Sequence, residues 1–77
     1  MLELYYSETC PFCQKVIGFL REHDIEFEPK EVLNRDFYNE LMRLGGIAQV
    51  PFLHDTETGT KMYESADIIE YVKNLIK

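Results

Sequence analysis

The sequence predicts an α/β domain of order β-α-β-α-β-β-α, with a mixed four-stranded sheet flanked by helices. Three observations lead there. The chain opens strand–helix–strand, which implies parallel pairing through a right-handed crossover. It closes on two short strands around the turn-rich "DTETGT", which makes an antiparallel hairpin. Three other stretches repeat apolar residues at helical spacing.

The elements follow in order. "LELYY", Leu2 to Tyr6, is a short strand of apolar and aromatic residues. Pro11 suits the first position of a helix. Cys13, Val16, Ile17 and Leu20 then share one helical face, to about His23. "IEFEPKEV", Ile25 to Val32, alternates and reads as a strand, which Pro29 consigns to a sheet edge. Asn34 caps a second helix with Phe37, Leu41 and Leu44 on one face, and Gly45-Gly46 ends it. "VPFLH" and "KMYE" form the hairpin. Ser65 is the expected cap of a last helix, with Ile68, Ile69, Val72, Leu75 and Ile76 inward. Tyr5, Phe27, Phe37 and Phe52 are the expected core aromatics, and Phe12 the exposed one.

With 77 residues, the chain suits one domain over 1–77 with a thin core. Its net charge of −6 opposes a nucleic-acid partner and an anionic membrane surface. No apolar run is long enough to span a bilayer. The first residues lack the basic and apolar regions of a signal peptide, so the expected location is the cytoplasm.

The cysteines carry the chemistry. Only Cys10 and Cys13 exist, in "YYSETCPFCQKV". A bridge between them closes too short a loop to staple a fold, so their role is chemical. Cys10 falls where strand meets helix, beside the N-cap. There free N–H groups and the helix dipole favour an anion. Cys13 lies one turn in, on the apolar face, where burial disfavours its thiolate. Cys10 is therefore the attacking thiol and Cys13 the resolving one. Two thiols acting as small hydrophobes would explain Cys13 but not Cys10. A metal site needs two more ligands. Only His23 and His54 are left as histidine ligands, at places that do not meet the pair, and no metal is expected.

Pro51 opens a strand, an ordinary place for proline. A cis Val50–Pro51 bond would leave the Val50 backbone unpaired and open to an extended substrate. The residues alone do not separate cis from trans.

C-P-F-C at a helix start, Val50-Pro51 before a hairpin and "YESADIIEYV" after it resemble a glutaredoxin over essentially the whole chain. The resemblance implies the thioredoxin fold, a cis bond at Pro51, a nucleophile at Cys10 and a resolving thiol at Cys13. Glu64-Ser65 before the last helix also resembles the glutathione-binding segment of glutathione transferases. The nearest pattern is a transferase-like glutaredoxin. A complete transferase needs a helical second domain, so conjugation is not expected.

The resemblance implies glutathione as reductant, with no permanently bound cofactor. Ser65 and the amides of Ala66 and Asp67 would hold the γ-glutamyl carboxylate, and Asp67 the amine. Val50 beside Pro51 would pair with the central cysteine. Phe12 beside Cys10 would meet glutathione or a protein partner. The glycine carboxylate lacks two basic residues that glutaredoxins commonly offer: Ser7 and Ala48 stand there, leaving Lys15 or Gln49 to meet it. Glu8 adds a negative charge near Cys10, which opposes a thiolate.

The function these residues imply is thiol–disulfide exchange on protein disulfides and glutathionylated proteins. One alternative is a glutaredoxin-like protein reduced by thioredoxin reductase. Another is a module binding glutathione or an iron–sulfur cluster, against which the stiffening Pro11 counts. A third is a transferase-like interaction domain with idle thiols.

Overall fold

A computed structural model describes residues 1–77. The elements are β1 (Leu2–Tyr6), α1 (Pro11–Glu22), β2 (Phe27–Glu31), α2 (Arg35–Gly45), β3 (Phe52–Asp55), β4 (Thr60–Met62) and α3 (Ser65–Leu75). They form one small domain of the thioredoxin-like fold. The strands order as β2-β1-β3-β4. β1 pairs parallel with β2, from Leu2 opposite Phe27 to Tyr6 opposite Glu31. It pairs antiparallel with β3, Leu2 facing Asp55 and Tyr5 facing Phe52. Pro29 lies on the edge strand β2, where its missing N–H removes no ladder bond to an outer neighbour.

Side chains alternate across a strand, so the sheet has two faces. Leu2, Leu4 and Leu53 bury one face under Val16, Ile17 and Leu20 of α1 and Ile68 and Val72 of α3. Tyr5 and Phe52 bury the other face against Leu41 of α2. At about 25 cal/mol per Å² this burial is the main favourable term holding the layers.

The α2 face also buries a charge. Lys30 is 7% exposed. Its Nζ lies 2.7 Å from Glu40 Oε1 and 3.2 Å from Glu3 Oε2. The Tyr5 hydroxyl donates to the same Glu40 oxygen at 2.9 Å, and His54 Nδ1 meets Glu3 Oε1 at 2.9 Å. Burial works against the Lys30 ammonium, but its bonds to Glu40 and Glu3 outweigh that and hold it above the usual lysine range. Burial, helped by the bond to Glu40 and the charge of Glu3, pushes the Tyr5 hydroxyl up to about 12.

Several expectations need correction. Strand β2 is shorter than Ile25–Val32, because Val32 already belongs to the turn into α2. Val50 and Pro51 precede β3, and Tyr63 and Glu64 follow β4, so the hairpin strands are shorter than the sequence suggests. Ser65 is not the cap of α3. Glu64 holds that position with φ 53°, and its side chain makes no capping bond. Leu75 and Ile76 are exposed, since the end of α3 runs past the sheet that buries Ile68 and Val72. Phe27 and Phe37 are only half-buried. Asn34 does cap α2, accepting from the N–H of Asp36 at 2.9 Å and of Phe37 at 3.4 Å.

Candidate active site

The site forms where the end of β1 turns into α1. Cys10 is the N-cap of α1, with extended backbone at φ −90° and ψ 114°. Its N–H is held by the Ser7 carbonyl at 3.1 Å, and its own carbonyl accepts the first helical bond, from Gln14 N–H, at 3.1 Å. Pro11 follows at a position with no N–H to satisfy. Cys10 Sγ therefore points along the helix mouth. It accepts the Cys13 N–H at 3.3 Å and lies 3.9 Å from the Val50 carbonyl oxygen.

The two thiols sit in different surroundings. Cys10 is partly exposed and Cys13 fully buried. Burial pushes the Cys13 thiol up to about 12. A backbone hydrogen bond at Ser7 works the other way, and the Cys10 sulfur and the Glu31 charge add to the rise. At neutral pH Cys13 is a thiol.

The Val50–Pro51 peptide is cis. The Val50 N–H and C=O join no backbone–backbone hydrogen bond. Beside them runs an open groove of about 290 Å³, lined by Phe12, Gln49, Val50, Pro51, Glu64 and Ser65. Three larger hollows, of about 420, 530 and 370 Å³, exist. The first lies between α1 and the β2 edge, the second at the Met1 end of the sheet, and the third at the start of α2. None is lined by a cysteine or by Pro51, so the groove beside the cis proline is the relevant one.

Six of the eight expected binding residues thus meet in one place. The other two, Ala66 and Asp67, are exposed in the first turn of α3 and do not line the groove. The first α3 bond runs from Ile68 N–H to Glu64 C=O at 3.0 Å. The N–H groups of Ser65, Ala66 and Asp67 are left unused by the helix. Glu64 reaches over to Gln49, whose Nε2 donates to its Oε1 at 3.4 Å. Neither Lys15 nor any other base lines the groove. His54 is engaged with Glu3, and His23 ends α1 in solvent.

Two residues of the site carried no sequence signal of their own. Glu31 ends β2 and holds the loop before Cys10: its carboxylate accepts the Glu8 N–H at 3.2 Å and the Leu33 N–H at 2.7 Å. Tyr63 joins the groove's two sides. Its hydroxyl donates to the Ile47 carbonyl at 2.9 Å and accepts the Ile47 N–H at 3.3 Å. The pair Gly45-Gly46 was the available hint. A Cβ on Gly45 would collide with the Tyr63 hydroxyl and sit 3.1 Å from the Phe52 ring.

Residues 4–76 match the family model described as the glutathione S-transferase N-terminal domain. The chain belongs to that family. Solved structures agree. Glutaredoxin 2 from Salmonella typhimurium, determined in complex with glutathione, is 32% identical over 97% of this chain, with a TM-score of 0.81. Human glutathione S-transferase T1-1 (a W234R mutant) is 26% identical over 99% of it, with a TM-score of 0.83. The chain spans about a third of those proteins, 34% and 32% of their lengths. A glutaredoxin from Archaeoglobus fulgidus shares the fold at 20% identity and a TM-score of 0.78, with 99% of this chain and 85% of that one covered. No curated protein matches by sequence. This transferase N-terminal-type domain thus stands among glutaredoxins and glutathione transferases, as its C-P-F-C and Glu-Ser segments suggest.

Proposed function

We propose that the protein is a glutathione-dependent thiol–disulfide oxidoreductase acting on protein disulfides and glutathione mixed disulfides. The observation that carries this is the unequal pair: an accessible Cys10 sulfur capping α1, 3.3 Å from the Cys13 amide, over a buried Cys13 thiol. A helix N-terminus favours an attacking thiolate, and a buried neighbour is protected until needed.

The Cys10 thiolate attacks a substrate disulfide and forms a mixed disulfide, releasing one thiolate. With a protein substrate, Cys13 attacks Cys10 Sγ, frees the second thiol and leaves a Cys10–Cys13 disulfide. With a glutathione mixed disulfide, the deglutathionylated thiol leaves and Cys10 keeps the glutathione, which a second glutathione removes as glutathione disulfide.

Glutathione would lie in the groove. Its central cysteine would pair with the Val50 backbone, which directs its sulfur to Cys10. Its γ-glutamyl carboxylate would take the free N–H groups of Ser65, Ala66 and Asp67. Asp67 and Glu64 offer acids for the amine, and Phe12 and Gln49 flank the rest. Cys10→Ser should abolish reductase activity. Cys13→Ser should keep the glutathione mixed-disulfide route and lose the protein-disulfide route. Full activity of the Cys10→Ser protein would overturn the proposal.

One observation favours a second reading. No lysine or arginine lines the groove to meet a glycine carboxylate. That suits a glutaredoxin-like protein reduced by thioredoxin reductase. Faster reduction of the Cys10–Cys13 disulfide by that enzyme than by glutathione would select it.

A further inference from the structure

We propose that this site prefers disulfides set in positively charged polypeptide segments. The inference rests on the thiol–disulfide reading above and names its substrate class.

Carboxylates flank Cys10 on both sides. On one side, the two backbone N–H groups of Glu8 and Leu33 fix Glu31 against the loop that precedes the thiol. Its charge reaches the dithiol, since it is among the groups that raise Cys13. Glu8 itself is exposed on that loop. On the other side, Glu64 lines the groove with Phe12, and Asp67 stands in the first turn of α3.

None of these four carboxylates is neutralised by an ion pair. The ion pairs of the chain all involve Glu3 or Glu40, with Lys30 or His54. Lys30, beside Glu31 along the chain, is held by Glu3 and Glu40, and the exposed Lys15, Arg21, Arg35 and Lys61 bind none of the four. Unpaired charges of one sign around a cleft concentrate ligands of the other sign, typically tenfold or more at low salt.

The apolar surroundings indicate a ligand larger than a tripeptide. Phe12 is 63% exposed in the groove, Leu33 88% exposed next to Glu31, and Ile47 56% exposed before Val50. Phe12 lines the groove, and Leu33 and Ile47 lie on the segments that follow Glu31 and lead to Val50, an apolar spread wider than the groove, as a polypeptide contact requires. Charge complementarity then specifies that polypeptide as basic.

The reaction balances without a further reactant, because the reduced protein supplies both electrons. Cys10 bonds to one peptide sulfur, and the other leaves as a thiolate and takes a proton. Cys13 loses its proton, attacks Cys10 Sγ and releases the second peptide thiol. The protein ends as the Cys10–Cys13 disulfide and the peptide as a dithiol.

The test uses two disulfide peptides of one backbone, flanked by lysines or by glutamates. Pre-reduced protein reacts with each in single turnover. Each rate is divided by that of dithiothreitol, a neutral thiol, to remove the peptides' own reactivity. The lysine peptide should be favoured by about tenfold or more at low salt. The preference should collapse at about 1 M salt, where the Debye length falls to about 3 Å. Glu8→Gln with Glu31→Gln should narrow it. A purely structural role for the two glutamates would slow both peptides and leave their ratio unchanged. Equal normalised rates, or a ratio unmoved by salt and by the variants, would overturn the inference. Reduction of neither peptide would overturn the exchange reaction itself, and this inference with it.

Discussion

Lys30→Met removes the cation from the α2 face and keeps most of the side chain's volume. Glu40 Oε1 loses a partner at 2.7 Å and Glu3 Oε2 one at 3.2 Å. Removing one member of a buried pair costs about 3–5 kcal/mol when the survivor is trapped. Here the survivors are partly relieved. The Glu40 side chain is 28% exposed and keeps the Tyr5 hydroxyl, while Glu3 keeps His54. The expected loss is therefore about 2–3 kcal/mol, below the trapped limit. For a domain of this size that lowers Tm by roughly 10–20 °C. Urea unfolding followed by circular dichroism measures it, and the m-value should stay constant. The loss should also depend on pH. The bond from Lys30, and then that from Tyr5, hold the Glu40 carboxyl below its usual 4.5. A lowered folded-state pKa contributes stability above 4.5 that is lost on acidification. Parent and variant should therefore converge as pH falls below 4.5. A Lys30→Met protein as stable as the parent at pH 7 would refute the claim that this cation is the main partner of the two carboxylates.

Other measurements test other joints. Gly45→Ala should cost about 1–3 kcal/mol by overpacking, read as a lower urea midpoint; an unchanged midpoint would show that Tyr63 gives way freely. Tyr71→Phe removes a hydroxyl that donates to buried Asp55 Oδ2 at 2.6 Å. It should cost about 1.5 kcal/mol at pH 7. That bond is the main reason the Asp55 carboxyl lies below its usual 3.8, so the cost should shrink as pH falls below that value. Tyr5, raised from 10 to about 12, contributes stability that is complete below pH 10 and lost as pH rises towards 12. Two pH units correspond to about 2.7 kcal/mol at most, and a parent with no alkaline loss beyond that of Tyr5→Phe would contradict the assignment.

Local physics was legible in the sequence. Asn34 was readable as a cap because its partners, Asp36 and Phe37, lie within three residues of it. Pro29 marked an edge because a missing N–H is a property of the residue. The C-P-F-C segment announced a helix mouth, and the two thiols fell on unlike sides of it. What escaped depends on distant partners. Lys30 is buried through Glu3 and Glu40, and no window around "FEPKE" shows either bond. Ser65 looked like a cap, but the backbone conformation of Glu64 gives the capping place to a residue without a capping bond. Leu75 and Ile76 kept the helical period after the sheet beneath them had ended.

The double hydrogen bond between Tyr63 and Ile47 has a mechanical meaning. Ile47 belongs to the segment leading to Pro51, and Tyr63 immediately precedes Glu64. One ring, packed on Phe52 with centroids 4.7 Å apart, is thus a strut braced between the opposite banks of the groove. The spacing of those banks is set by a rigid phenol standing on the core, and Gly45 is the clearance cut for it. A ligand entering there meets a gauge of fixed width.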